Sequence, residues 1–189
     1  MNILCVGVGG QGTVLASKLI AQMAMLNGDD IDTAETIGMA QKGGSVVSHI
    51  RINKGVCSPL MPKGKADLVI AFEVIEAIRT LPYCNENTKF LINEKIIKPF
   101  SLDNTKDMLF KDYFNYLDNK GFKIISVNTD KIAKELNNSK IRNVALVAYA
   151  IKYKLINYSV DSLKNAVKNI VKPKFVDLNI KAIDMVINN

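Results

Sequence analysis

Short apolar runs separated by glycine turns dominate the first half of the chain, and apolar residues at helical spacing dominate the second. Ile3-Leu4-Cys5-Val6 is a brief apolar run that ends at Gly7. Leu15, Leu19, Met23 and Leu26 follow at helical spacing, with Asn27-Gly28 as the stop signal. A second strand is predicted from Ile31 to Thr36. Val46, Ser48, Ile50 and Ile52 then alternate with Val47, His49 and Arg51, which predicts a strand with one buried face. The other face carries the only histidine. Read locally, the glycine turn before this segment leads into an edge strand.

Pro59 and Pro62 lack ladder donors and restrict Ser58 and Met61, so residues 58–62 are expected as an extended surface segment. Ala66 to Phe72 is continuously apolar, the mark of a strand covered on both faces of a parallel sheet. Further strands are predicted at Lys89–Asn93 and Lys123–Asn128, with partly helical sequence between Leu102 and Lys120. Thr129 or Asp130 can cap a short helix to Leu136. Ile141, Val144, Ala145, Ala148, Ile151 and Leu155 mark a longer one, Val160 to Val171 another that stops near Pro173, and Val176, Ile180, Ile183 and Ile187 line the last. These elements predict an α/β, Rossmann-like fold: a mostly parallel sheet with helices on both faces and a helical C-terminal part. No linker or repeat interrupts residues 1–189, which are read as one domain.

Composition narrows the function classes. At 189 residues and 48% hydrophobic content the chain can bury a real core without disulfides or metals. No run approaches the roughly 20 apolar residues that cross a bilayer, and no basic region precedes the first strand, so a cytoplasmic protein is expected, away from the membrane. Cys5, Cys57 and Cys84 are isolated and odd in number, with no C-x-x-C pair. Neither an iron–sulfur cluster nor a zinc site is expected from this chain alone. The net charge of +7 is spread over the whole chain without a stripe of Lys/Arg and aromatics, and nucleic acid is not expected as a partner.

Two glycine loops carry the candidate chemistry. Gly7-Val8-Gly9-Gly10-Gln11-Gly12 joins a strand to a helix in the order that a phosphate-binding βαβ unit requires, with amides of the helix start facing an anion. Asp32 and Glu35 follow at about the distance of a ribose-binding acid, which makes NAD(P) binding one candidate. Glycines that only pack helix on sheet, or that present amides to a partner's ligand, are the others. Gly38-Met39-Ala40-Gln41-Lys42-Gly43-Gly44-Ser45 is the second loop, with Gln41, Lys42 and Ser45 as donors. Both loops are expected side by side at the sheet edge. Glu73, at the carboxyl end of a strand, is a site candidate or a helix-start charge. No G-x-S-x-G elbow, Walker lysine or histidine pair is present, and His49 stands without a nucleophile.

Gly7 to Gly12 together with Gly38-Met39-Ala40-Gln41-Lys42-Gly43-Gly44-Ser45-Val46-Val47-Ser48-His49-Ile50-Arg51 resembles the gamma-type domain of the 2-oxoacid:ferredoxin oxidoreductases. The similarity extends to Ala66–Glu73, Ile92-Asn93 and Pro173–Ala182, nearly the whole chain. Ile37 departs from the histidine of many members. The resemblance implies an accessory subunit whose large partner holds thiamine diphosphate and iron–sulfur clusters, oxidises an aryl-2-oxoacid such as indolepyruvate, passes electrons to ferredoxin and acylates coenzyme A. It also implies that Gly9, Gly10, Gln11, Gly12, Glu35, Gln41, Lys42, Gly43, Gly44, Ser45 and Glu73 face ligand or partner. No cofactor is then expected on this chain alone. A free-standing NAD(P) enzyme and a purely structural subunit remain as alternatives.

Overall fold

The first apolar run is covered on nearly every side because it ends up in the middle of the sheet. The computed structural model describes residues 1–38, 44–52, 58–97 and 108–189. The strands are β1 (Asn2–Val8), β2 (Ile31–Ile37), β3 (Ser45–Ile52), β4 (Ala66–Ala71), β5 (Cys84–Asn93) and β6 (Lys123–Val127). They form one six-stranded sheet in the order β2-β3-β1-β4-β5-β6. β1, β4, β5 and β6 run parallel, and β3 is antiparallel to both of its neighbours.

This corrects the local reading of β3 as an edge strand. It lies between β2 and β1, and its histidine face is covered as well. His49 is 2% exposed, its Nδ1 accepts the Met61 N–H at 3.3 Å, and its ring meets Tyr83 edge-on at 5.6 Å. The covering group comes from the proline segment. Ser58, Pro59, Leu60 and Pro62 are exposed as expected, but Met61 turns into the core at 4% exposure. With Nδ1 accepting, His49 is neutral, and burial holds its pKa below the ordinary value.

Side-chain alternation divides the core in two. Ile3, Cys5, Ile50, Leu68, Ile70 and Leu91 pack with residues of α1 (Thr13–Leu26), α4 (Thr129–Glu135), α5 (Arg142–Lys152), α6 (Val160–Ile170) and α7 (Pro173–Asn188). Leu4, Val6, Val69, Ala71, Phe90 and Ile92 pack with α2 (Val74–Arg79) and α3 (Phe110–Asp118). Helices therefore cover both faces, as predicted. Among the described residues, no helix is long and apolar enough to cross a membrane.

Several boundaries shift for identifiable reasons. Thr129 does not cap α4, because its N–H and hydroxyl both donate to the buried Asn93 Oδ1, at 3.0 and 2.8 Å. Asn128 caps instead, accepting the Asp130 N–H. Pro173 ends one helix and opens the next, at a position whose N–H would be unpaired in any case. β5 begins earlier than Lys89, in a polar stretch held by Thr88, which donates to the Ala66 carbonyl at 2.6 Å, and the register shifts between Ala66 and Leu68.

Phe90 is fully buried on β5 and packs edge-on against Phe122 at 5.0 Å. Truncation to alanine (Phe90→Ala) is expected to cost about 3–5 kcal/mol of stability, to be read from the shift in the urea unfolding midpoint.

Candidate functional site

β1 leads into α1 on one face of the sheet and β4 leads into α2 on the other. The crevice at the carboxyl ends of these two strands is where an open α/β sheet leaves room for a ligand. The first glycine loop occupies it. A Cβ at Gly7 would stand 2.6 Å from Gln11 Oε1 and 2.9 Å from Phe72 Cβ, so the turn closes only on glycine. Gln11 Oε1 accepts the Val8 N–H at 2.7 Å and ties the loop to itself. Gly12 has φ +87 and sits at the start of α1 against Asn143, where a side chain would collide.

The first turn of α1 carries neither a side-chain cap nor an acidic residue. Its partial positive charge is left for another group. A cleft of about 650 Å³ opens in front of it. Gly9, Gly10, Gln11 and Gly12 form one rim, Phe72, Asn93 and Lys95 the strand ends, and Asn138 to Asn143 with Val171, Phe175, Leu178 and Asn179 the opposite wall. Lys95, Lys140 and Arg142 line it, and none of the lining residues is Asp or Glu. Arg142 is partly neutralised by its ion pair with Asp130. The lining thus combines cations, side-chain amides and apolar surface.

The second glycine loop meets the first through its described end. The Gly9 N–H donates to the Gly44 carbonyl at 2.9 Å, which sets the described end of the second loop against the first. Ser45 begins β3 and its hydroxyl donates to Glu76 Oε2. Glu73 is fully buried at the N-cap of α2 and accepts N–H bonds from Ile75, Glu76 and Ile97. Desolvation raises its pKa from 4.5 to about 7, against the lowering effect of those three bonds.

The structure thus gathers Gly9, Gly10, Gln11 and Gly12 in the cleft, Gly44 against Gly9, and the half-buried Ser45 beside Glu76, next to the buried Glu73, at the start of α2. Glu35 is exposed on β2, outside the cleft. Gln41, Lys42 and Gly43 lie outside the described residues. Sequence reasoning missed the far wall. Its signals were Asn143 and Asn179, polar residues set among the apolar positions of two amphipathic helices, and the polar run Asn137-Asn138-Ser139-Lys140.

Strand order weighs against a dinucleotide site. In that fold the ribose-binding acid ends the strand beside β1; here β3 stands between β1 and β2, and no residue of β2 lines the cleft. Cys5 is fully buried in β1 with its thiol pKa pushed up to about 12, Cys84 opens β5, and among the described residues no three His, Cys, Asp or Glu side chains gather to hold a metal.

Residues 2–188 match the family model for pyruvate ferredoxin/flavodoxin oxidoreductase. The chain is 39% identical over 187 residues to an indolepyruvate oxidoreductase subunit IorB of Archaeoglobus fulgidus, covering 98% of this chain and 92% of that one. A subunit of the same name from Methanothermobacter thermautotrophicus is 31% identical over 183 residues, with 96% and 93% covered. Among solved structures, the gamma subunit of a keto/oxoacid ferredoxin oxidoreductase from Geobacter sulfurreducens superposes with a TM-score of 0.71 at 19% identity, over 99% of this chain and 96% of that one. The chain also overlays 30% of a 2-oxoglutarate:ferredoxin oxidoreductase chain from Magnetococcus marinus, with a TM-score of 0.73, 19% identity and 98% of this chain covered.

The raised carboxyl has a signed consequence. Between pH 4.5 and about 7 the folded protein holds a proton on Glu73 that the unfolded chain releases. Its contribution to stability is therefore complete below 4.5 and is lost as pH rises through about 7. A carbon-detected NMR titration is expected to place the Glu73 midpoint near 7; a midpoint in the ordinary carboxylate range would contradict the burial described.

Proposed function

The chain belongs to the pyruvate ferredoxin/flavodoxin oxidoreductase family, and from that membership we propose that its two glycine loops complete, in trans, an active site carried mainly by a larger subunit. It is a subunit of a 2-oxoacid:ferredoxin oxidoreductase. The names of its relatives support indolepyruvate or a similar aryl-2-oxoacid as the substrate. Ferredoxin as electron acceptor and a cytoplasmic location are proposed on the same family footing.

In the assembled enzyme, thiamine diphosphate and iron–sulfur clusters would be held by the partner and would supply carbanion stabilisation and electron transfer, and coenzyme A would supply the acyl-accepting thiol. This chain's part is to exclude water and to hold an anion. The observation that carries the reading is the hydrogen bond between Gly9 and Gly44, which brings both loops to the cationic end of the sheet. Gln11, Gln41, Lys42 and Ser45, with the loop amides, then face the partner, and Lys42 contacts a phosphate of coenzyme A. Glu73 and Glu76 anchor the base of the second loop through Ser45.

A purely structural subunit is the second reading. It is favoured by the inward use of polar groups: Gln11 Oε1 on Val8, Ser45 on Glu76, Glu73 on the start of α2. Lys42→Ala separates the two. Assembled with the large subunit, the variant is expected to raise the KM for coenzyme A by about ten-fold, the effect of one charged hydrogen bond. An unchanged KM with unchanged turnover would overturn the proposal, and impaired assembly with normal kinetics per complex would establish the structural reading.

A further inference from the structure

We propose that β2 is a self-complementary docking edge, on which a second copy of this chain pairs strand to strand in antiparallel register with Ala34 on the two-fold axis. The inference goes beyond the function proposed above and uses neither the glycine loops nor the cleft.

β2 is the outermost strand on its side of the sheet. Its hydrogen-bond phase follows from the hairpin, where the Gly38 N–H donates to the Ser45 carbonyl at 2.8 Å. These two residues continue the β2–β3 register, so alternation assigns the even-numbered residues of β2 to bonds with β3. The far side of β3 agrees: Gly44 and Ile52 bond to Gly9 and Met1, which leaves the odd-numbered residues of β3 for β2. The N–H and C=O groups of Ile31, Thr33, Glu35 and Ile37 therefore point out of the sheet edge. Proline, lysine or a bulge commonly blunts such an edge. β2 contains no proline or lysine and pairs with β3 in unbroken register over its seven residues.

The order of residues selects a second copy as the occupant. With Ala34 opposite its counterpart, Thr33 stands opposite Glu35, Asp32 opposite Thr36, and Ile31 opposite Ile37. Each carboxylate then meets a threonine hydroxyl that can donate to it, and each isoleucine meets an isoleucine. Outward residues also pair only with outward residues, as an antiparallel ladder requires. A shift by two residues in one direction sets Glu35 against Glu35 of the second copy; in the other it carries Ile37 past the end of the ladder. The exposed apolar surface has the same symmetry. Ile37, 64% exposed, ends β2, while Met25 and Leu26, 62% and 51% exposed, close the helix that leads into its start. Ile31 packs on the α1 side of the sheet, and alternation puts Ile37 on that side too. The two-fold axis brings the end of one β2 to the start of the other, so each Ile37 is covered by Ile31 of the second copy beside that helix end.

Sedimentation velocity of the full chain over a concentration series tests the assignment, and a reversible dimer is expected. Thr33→Pro removes an outward N–H that β3 does not use. It is expected to raise the dimer dissociation constant by about ten-fold or more, because the axis doubles each lost bond. Ile37→Asp, at an exposed position, supplies a second disruption if circular dichroism shows that Thr33→Pro does not fold. Register is tested with cysteines. Ala34→Cys sets two thiols across the axis at disulfide distance and is expected to give, on oxidation, a covalent dimer beyond that of the unsubstituted chain; Glu35→Cys is expected to give none. A monomer at every concentration up to about 1 mM, a dimer indifferent to the folded variants, or cross-linking through Glu35→Cys in place of Ala34→Cys would overturn the proposal. So would a monomer whose Thr33→Pro variant fails to assemble with the large subunit, a result that assigns the edge to that subunit. None of these results alters the coenzyme A kinetics expected of Lys42→Ala, so the two readings fail separately.

Discussion

The exit from β1 is the tightest place in the structure, and the functional end of the sheet depends on it. Gly7 lies so close to Gln11, Phe72 and Thr13 that no side chain can be added there. That closeness lets the loop fold back on itself through Gln11 and the Val8 N–H, and starts α1 at Gly12 in a left-handed conformation. The helix then begins without a side-chain cap. An arrangement in which the turn were wider would move α1 away from α5, and the Asn143 amide would lose its place beside Gly12.

A second consequence follows from the direction of β3. Because it runs antiparallel beside β1, its first residue pairs with Val8, the last residue of β1, and the second glycine loop is delivered to the same end of the sheet as the first. The same insertion buries His49 and removes β2 from the neighbourhood of the glycine turn between β1 and α1. One strand thus brings the two loops together and displaces the acid that a dinucleotide would need. The buried carboxylate of Glu73 stands in this arrangement as an anchor: three amides hold it, Glu76 beside it holds Ser45, and the start of β3 is tied to the start of α2.

The cleft and the buried polar cluster have different chemistry although they share one end of the sheet. The cleft is lined by lysines, arginine, asparagines and apolar side chains without a lining carboxylate, whereas the cluster is built on two glutamates with internal partners. The positive charge belongs to the former. The cluster fixes the backbone from which the second loop departs.

Much of the fold was legible from pattern. The apolar run of β4, the alternation of β3, the glycine turn into α1 and the spaced apolar residues of α5 to α7 report local burial, which composition along a segment directly encodes. Family membership was legible as well, because the two glycine motifs and the Pro173–Ala182 tail are particular residues in a particular order. Strand order was not: β3 reads as an edge strand when only its own alternation is considered, and nothing within residues 45–52 says that Met61 will cover His49. Nor does the sequence around Asn143 say that its amide faces Gly12. Those are contacts between segments far apart in the chain, decided by how whole layers pack, and only the tertiary structure brings the helical half against the glycine turn to make a cleft.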